Sequence, residues 1–218
     1  MIDTKQPYLQ VDSINKSFGR SRVLHDISFS VMQSQVAIVR GMNGSGKSTL
    51  LSILSTHMSA DSGTIFYKGL NTKKNLPDFR KSLGVLDHLP MLYDRLTVQE
   101  NLYFFAKVYS IPDFGNKIDY WVDKLELNKY INHKIHNLSH GFQKRVGLAR
   151  SLMHNPQILL LDEPETGLDQ KSLEIFFSIL GDFLTAGGCA IVATHNDFKM
   201  LEKFSLNFLI EKNRLTQQ

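Results

Sequence analysis

The chain has 218 residues, 42% of them hydrophobic, and a formal net charge of +4 at pH 7. This is enough for one large domain with its own core, and the single cysteine, Cys189, excludes an internal disulfide or a cysteine metal site. No apolar run exceeds five residues, whereas a membrane-spanning helix needs about 20. The charged residues Asp3 and Lys5 argue against a secretory leader, and no basic stretch interleaved with aromatic residues indicates specific nucleic-acid binding.

The amino-terminal part predicts antiparallel strands and then a phosphate-binding loop. Polar and apolar residues alternate between Tyr8 and Val31, and the apolar run from Val36 to Val39 is typical of a buried strand. The next residues fit the pattern G-x-x-x-x-G-K-[ST], and a helical segment follows, which is the context of a phosphate loop rather than a chance glycine-rich turn. Glycines let the backbone approach phosphate oxygens, and the lysine reaches the β- and γ-phosphates. The predicted nucleotide-contacting residues are Gly41, Met42, Asn43, Gly44, Ser45, Gly46, Lys47, Ser48 and Thr49.

Two acids, Asp162 and Glu163, follow a second apolar run, Ile158 to Leu161. The carboxyl ends of buried parallel strands lie at the rim where α/β proteins bind ligands. Such a run also precedes ordinary solvated turns, but beside a phosphate loop it predicts a nucleotide-hydrolysing site. We expect Ser48 and Asp162 to hold Mg²⁺ and Glu163 to act as the general base for the attacking water. The implied cofactors are therefore ATP and Mg²⁺.

Between Thr97 and Gly141 the pattern changes from strands to helices. Helical periodicity predicts two helices, Val98–Tyr109 and Ile118–Leu125, with helix-breaking residues between them at Pro112 and Gly115. Parallel strands are predicted at about 36–40, 83–87, 157–162 and 189–194, a further strand at 64–68, a helix at 170–184 and a last strand at 204–210.

The segment Leu138-Ser139-His140-Gly141, followed by Phe142 and basic residues, resembles the LSGGQ signature of the ATP-binding cassette family. His140 and Phe142 replace the usual glycine and glutamine, and Ser139 alone could be no more than a helix N-cap. The resemblance covers nearly the whole chain. It implies an α/β fold, a P-loop NTPase cassette with a RecA-like core and an antiparallel β subdomain, both within about 1–96 and 151–218, and an inserted helical subdomain at about 97–150.

The same resemblance implies a homodimer of cassettes. Ser139, His140 and Gly141 would face the γ-phosphate that the opposite subunit holds, and a helix beginning near Phe142 would direct its positive end at that phosphate. Asp169, in the segment Thr166 to Asp169, would belong to the loop that touches the partner subunit.

Two more residues take roles from the resemblance. His195, which ends the apolar run beginning at Cys189, occupies the place of a switch histidine that senses the γ-phosphate and supports Glu163; an imidazole can both donate and accept a hydrogen bond. Phe18 occupies the place of an aromatic residue that stacks on adenine, although it could equally be a core residue.

His88 stands where most cassette transporters have a glutamine, as fixed by counting back from the segment Leu96 to Leu102. This histidine, the short chain and Arg40 before the first glycine are similar to the haem-exporter ATPase family, cytochrome c maturation protein A. That resemblance implies integral membrane subunits, an indirect link to a haem chaperone, and a peripheral location at the cytoplasmic face of the inner membrane. Nothing in the chain indicates a haem site itself.

Three alternatives remain. The chain could be the ATPase subunit of another exporter, for drugs, lipids or polysaccharide. A cassette ATPase acting on DNA or ribosomes is less favoured, because no heptad pattern for a coiled coil separates Lys47 from Asp162. A P-loop kinase or GTPase needs neither the signature-like segment nor the Thr194-His195 pair.

Overall fold

The computed structural model describes residues 6–196 and 199–218, so Asp3 and Lys5 lie outside the described residues. In chain order it contains strands β1 to β10 and helices α1 to α6. Their bounds are β1 Leu9–Phe18, β2 Ser21–Val31, β3 Val36–Arg40, α1 Lys47–Leu54, β4 Ser62–Tyr67, β5 Leu70–Asn71, α2 Leu76–Lys81, β6 Leu83–Leu86, α3 Val98–Val108, α4 Phe114–Lys124, α5 His140–Leu152, β7 Ile158–Asp162, α6 Gln170–Thr185, β8 Cys189–Ala193, β9 Ser205–Glu211 and β10 Arg214–Gln217.

The amino-terminal strands form an antiparallel sheet with the order β2-β1-β4-β5. The register of β1 against β2 runs from the pair Leu9 and Val31 to the pair Phe18 and Ser21, which closes the hairpin. The predicted antiparallel strands are therefore confirmed, and the strand expected at 64–68 begins slightly earlier, at Ser62.

The second sheet has the order β10-β9-β3-β8-β7-β6, and β6, β7, β8, β3 and β9 are parallel. All four predicted parallel strands are present, with β3 between β8 and β9. The last strand predicted from sequence corresponds to β9, but it is not the last element, because β10 pairs with it antiparallel.

The parallel strands are buried on both faces, which explains why they read as continuous apolar runs. Alternate residues of β3 belong to different cores: Val36 and Ile38 pack on the side of the helices α3 to α6, whereas Ala37 and Val39 pack on the side of α1 and the antiparallel sheet. The parallel sheet therefore separates two apolar cores, and its carboxyl edge is left for polar residues.

Helices α3 and α4, which the periodicity predicted, and α5, which the resemblance implied, lie between the phosphate loop and β7. Helix α3 begins with a capping box in which Thr97 and Glu100 bond each other's backbone amides. Two sequence predictions were wrong at helix starts. Helix α4 begins at Phe114, four residues before the predicted Ile118, so Gly115 lies inside its first turn, and α5 begins at His140 rather than near Phe142. Among the described residues, no helix is both long and apolar enough to cross a membrane.

Candidate functional site

The loop between β3 and α1 has the backbone that the sequence pattern requires. Gly44 and Gly46 adopt φ values of +78° and +107°, which favour glycine. A Cβ at Gly46 would come within 2.9 Å of Leu24 Cδ2, so the close packing of this loop on β2 also requires glycine. Gly46 is the N-cap of α1 and makes no side-chain capping bond, which leaves the positive end of α1 for an anion.

Lys47 is buried, with 5% of its surface exposed, although it carries an amino group. Its Nζ donates hydrogen bonds to the carbonyl oxygens of Gly41 at 2.8 Å and Met42 at 3.2 Å. These bonds hold the ammonium group across the loop and offset the cost of burial. Met42 has an exposed, uncharged side chain, and Gly41 has none. Of these three residues, Lys47 alone carries a positive charge, and it directs this charge into the loop.

The carboxyl edge of the parallel sheet and the phosphate loop enclose a cleft of about 470 Å³. Phosphate-loop residues meet the two acids at the end of β7 there, as the sequence predicted, and His88 from the segment after β6 joins them. The lining residues are Val23, Asn43, Gly44, Gly46, Lys47, Ser48, Thr49, His88, Asp162 and Glu163.

The oxygen ligands in the cleft fit a magnesium ion. Asp162 is 7% exposed, and its Oδ1 is buried without a hydrogen-bond partner. Burial raises the pKa of Asp162, and a hydrogen bond from Ser48 opposes that shift. Within residues 6–196 and 199–218, no cluster of three or more His, Cys, Asp or Glu side chains could hold a metal. A carboxylate and a hydroxyl with phosphate and water completing the shell is the arrangement that Mg²⁺ prefers.

Glu163 lies between two histidines. Its Oε1 is 3.7 Å from His195 Nδ1, and its Oε2 is 4.0 Å from His88 Nδ1. Its backbone has a φ of +45°, unusual for a residue with a side chain, and its N–H donates to the Ala193 carbonyl at 2.9 Å. The strand end thus turns sharply and presents this carboxylate to the cleft.

Two buried charged residues beside Glu163 were missed in the sequence analysis. Lys144 of α5 is 2% exposed, and its Nζ donates to the Glu163 carbonyl oxygen. Burial lowers the pKa of Lys144, and the charges of Glu165, Glu163 and Asp162 partly oppose this. Glu165 is itself buried and accepts hydrogen bonds from Thr194 Oγ1 and Asn196 Nδ2. Glu165 is the third acid in the run Asp-Glu-Pro-Glu, and this run was the sequence signal that could have identified it.

The signature-like segment lies outside the set of residues that line the cleft. Ser139 is the N-cap of α5, and its Oγ accepts from the Phe142 amide at 3.4 Å. His140 packs within its own chain: its Nδ1 is 2.5 Å from where a Cβ on Gly167 would stand, and its ring centroid is 6.2 Å from that of His88. Burial, followed by the charges of Lys144 and His88, lowers the pKa of His140.

The other two predicted residues are exposed. Phe18 ends β1, is 49% exposed, and has Lys16 Nζ 5.5 Å from its ring centroid, so it is not a core residue. Asp169 is the N-cap of α6, and its Oδ1 accepts from the Ser172 amide at 2.8 Å. Hydrogen bonds from Ser172 lower the pKa of Asp169.

Comparison with known proteins agrees with this geometry. Residues 24–166 match the family model described as ABC transporter. The chain is 31% identical over 87% of its length to the uncharacterized ABC transporter ATP-binding protein YdbJ of Bacillus subtilis, covering 62% of that protein. It is also 31% identical, over 86% of its length, to the probable multidrug ABC transporter ATP-binding protein YbhF of Escherichia coli, covering 33% of it.

Among solved structures, the chain resembles an ATP-binding cassette in a dimeric post-hydrolysis state bound to ADP and Pi. The TM-score is 0.85 with 23% identity, and the match covers 96% of this chain and 97% of that one. The chain therefore belongs to the ABC transporter family of ATP-binding proteins and has its fold. It spans less than two thirds of the length of each of these two relatives, YdbJ and YbhF.

Proposed function

We propose that this chain hydrolyses ATP as the ATP-binding subunit of an ABC transporter. The observation that carries the proposal is the meeting of Lys47, Ser48, Asp162 and Glu163 in one cleft. A phosphate loop supplies binding, and a carboxylate at the adjacent strand end supplies a base, which together are the minimum for hydrolysis of the β–γ phosphoanhydride bond.

Each residue has a distinct task. Lys47 and the amides at the start of α1 bind and orient the β- and γ-phosphates. Ser48 and Asp162 hold Mg²⁺, which when bound neutralises charge on the phosphate oxygens. Glu163 accepts the proton of the attacking water at a carboxylate oxygen, and His195, 3.7 Å from that carboxylate, supports it.

A second copy completes each site in this proposal. Ser139 and Gly141 are at the start of α5, outside the cleft of their own chain, where the positive helix end can meet a partner's nucleotide. The likeness to a dimeric cassette holding ADP and Pi supports a homodimer with Mg-ATP between the copies. Asp169 lies in the loop expected to touch the partner, and Phe18 is exposed enough to stack on adenine.

Integral membrane subunits are the proposed partners, with the chain at the cytoplasmic face of the inner membrane. The segment after His88 exposes three large apolar side chains, Leu89, Met91 and Tyr93. Buried Asn101 fixes the end of this segment, because its side chain bonds both the N–H and the carbonyl of Tyr93. An exposed apolar surface of this kind is suited to docking another protein.

The cargo is the finer question. The name of the relative YbhF supports an exporter of the multidrug kind. The haem-handling hypothesis, with a haem exporter as partner and a haem chaperone downstream, rests on the resemblance carried by His88 and Arg40. In the structure, His88 lines the cleft and Arg40 Nε donates to the Asn196 carbonyl at 3.4 Å, so both serve the nucleotide side and neither argues for a particular cargo.

The Glu163→Gln variant tests the hydrolytic role. We expect it to bind ATP, to lose about 100-fold or more in turnover because the base is gone, and to accumulate as a dimer with Mg-ATP. Glu174→Gln, at an exposed position of α6, is the matched control and should keep the wild-type rate. Hydrolysis by Glu163→Gln at the wild-type rate would remove Glu163 from the reaction.

The cargo is tested by recovering the tagged Glu163→Gln chain with Mg-ATP in mild detergent and identifying the co-purifying membrane proteins by mass spectrometry. Subunits of cytochrome c maturation support haem handling. An unrelated permease supports a different exporter, and recovery of ribosomes or DNA-repair proteins contradicts the transporter role.

A further inference from the structure

Glu165 is a buried carboxylate with no role in the reaction described so far. Among the described residues, Asp162 and Glu165 are the two buried acids. Asp162 lines the cleft, whereas Glu165 lies beyond it, two residues after Glu163. A carboxyl group is costly to bury unless its oxygens are bonded. Because Oε2 of Glu165 is buried without a hydrogen-bond partner, the bonds to its Oε1 indicate why the residue is there.

The partners of Glu165 are on the segment that follows β8. Its Oε1 accepts from Thr194 Oγ1 and, at 3.0 Å, from Asn196 Nδ2. The Asn196 backbone N–H in turn donates to Thr194 Oγ1 at 2.9 Å. We call these three residues the Glu165 clamp; their bonds form a closed network across the turn after β8.

The residue inside this turn is His195. Its side chain is 55% exposed, so packing alone does not fix the imidazole, yet its Nδ1 lies 3.7 Å from Glu163 Oε1. The residues on both sides of His195 are the two that bond Glu165. One carboxyl oxygen therefore holds the side chains of the residues on either side of a weakly packed functional ring.

The clamp is joined to the rest of the site from two sides. Arg40 Nε donates to the Asn196 carbonyl from the end of β3, at the longer distance of 3.4 Å. Lys144 bonds the Glu163 carbonyl from α5. Glu165 is thus the buried anchor, close to both the general base and the helix that begins at the signature-like segment.

We propose that Glu165 is a positioning residue for hydrolysis: by bonding Thr194 and Asn196, it holds His195 against Glu163. The inference rests on the proposed ATPase function and extends it to a residue that does not touch the nucleotide. Displacement of a catalytic group by about 1 Å can cost about 100-fold in rate, so loss of this anchor is expected to affect turnover more than binding.

The test compares Glu165→Ala with Glu165→Gln in the dimeric protein with its membrane partner. The glutamine keeps an amide oxygen that can accept both hydrogen bonds, so its kcat should remain within about 3-fold of wild type. Alanine removes the acceptor, and kcat should fall about 10- to 100-fold with KM for ATP nearly unchanged. Glu174→Ala, at an exposed position, should change neither constant.

A double-mutant comparison separates positioning from a general structural effect. If Glu165 acts through His195, Glu165→Ala should lower kcat little further in a His195→Ala background. Equal additional losses in both backgrounds would overturn the proposal, as would a Glu165→Gln variant no better than Glu165→Ala.

Amide hydrogen exchange tests the inference without measuring ATP hydrolysis, so its result does not depend on the ATPase assignment. In the clamp, the Asn196 amide should exchange with solvent faster in Glu165→Ala than in wild type and be restored in Glu165→Gln. Unchanged exchange would overturn the clamp. Absence of hydrolysis by the wild-type protein would instead contradict the proposed function, and the exchange result would still decide whether Glu165 holds this turn.

Discussion

Helices α1 and α5 both begin at a motif expected to face phosphate, but their first turns differ. The N-cap of α1 is Gly46, which makes no side-chain capping bond. The N-cap of α5 is Ser139, whose Oγ accepts a hydrogen bond from the Phe142 amide at 3.4 Å. The amides of α1 are open to a nucleotide in the same chain, whereas those of α5 are partly satisfied by a serine; in the proposed dimer that serine would exchange its bond for the partner's phosphate. Under that proposal, one physical device would serve binding in one helix and sensing in the other.

The bodies of the two helices differ as well. Apart from Lys47, α1 buries aliphatic residues, whereas α5 buries three cations, Lys144, Arg145 and Arg150. Arg145 bonds Ser172 of α6, and Arg150 bonds the Val85 carbonyl of β6. Polar contacts thus brace α5 against both α6 and β6.

The largest expected effect is that of Lys47→Ala on α1. Loss of the ammonium group should weaken ATP binding by about 100-fold, which is about 2.7 kcal/mol. Isothermal titration of the monomer measures this directly. Lys73→Ala, at an exposed position, is the control and should bind normally; equal affinity of the Lys47→Ala and wild-type chains would contradict the phosphate-loop assignment.

The next largest effect should be that of Gly46→Ala, which is expected to lower the stability of the fold. The φ of +107° and the 2.9 Å approach to Leu24 leave no unstrained place for a Cβ, so unfolding free energy should fall by about 1–3 kcal/mol. Gly181, in α6 with no atom within 4 Å of a built Cβ, is the matched control. There alanine should stabilise by about 1 kcal/mol in urea denaturation; the same sign at both positions would rule out the strain argument.

Ser139→Ala should have a smaller effect, confined to the dimer. We expect kcat to fall about 10-fold, or 1.4 kcal/mol, while ATP affinity of the monomer stays within about 2-fold. Thr97→Ala removes the cap of α3 and costs similar helix stability, about 1 kcal/mol, without touching nucleotide. A comparable fall in kcat for Thr97→Ala would show that only helix stability matters.

The smallest effect is a gain in stability from Asp162→Asn. Because burial raises the pKa of Asp162, the folded state favours its protonated form; that contribution is present at low pH and is lost as the pH rises through the folded-state pKa. At neutral pH the charge is unfavourable, and its removal should raise Tm by about 2–4 °C for each kcal/mol regained. The gain should vanish in acid. Asp169→Asn, where hydrogen bonding lowers the pKa, should instead lower Tm slightly at neutral pH.

The phosphate loop and the main strands could be predicted from the sequence, because each is specified by residues that are adjacent in the chain. A glycine pattern between a strand and a helix specifies the loop holding Lys47, and apolar runs ending in acids specify β7 with Asp162. The sequence patterns placed the starts of α4 and α5 too late. Helix α4 starts at Phe114 because a glycine such as Gly115, although it usually disfavours helices, is tolerated in the first turn. Helix α5 starts at His140 because Ser139 is its N-cap, and a helix begins one residue after its N-cap.

The remainder depends on tertiary contacts that a linear pattern does not carry. Lys144 reads as a surface cation of a helix, yet the fold buries it against the Glu163 carbonyl. Glu165 reads as a turn residue, yet it bonds Thr194 some 29 positions away. Both belong to the rim where β7 and β8 end together, and only their parallel pairing brings these partners into reach.

The position of β3 in the sheet affects how the chain folds during its synthesis. This strand leaves the ribosome well before its neighbours β8 and β9, which lie far downstream in the chain. At about 5–20 residues per second, the roughly 170 residues that separate β3 from the end of β9 take about 10–30 seconds to synthesise. During that time both edges of β3 lack their native partners, and because unpaired strand edges are prone to aggregation, slower elongation would prolong the risk.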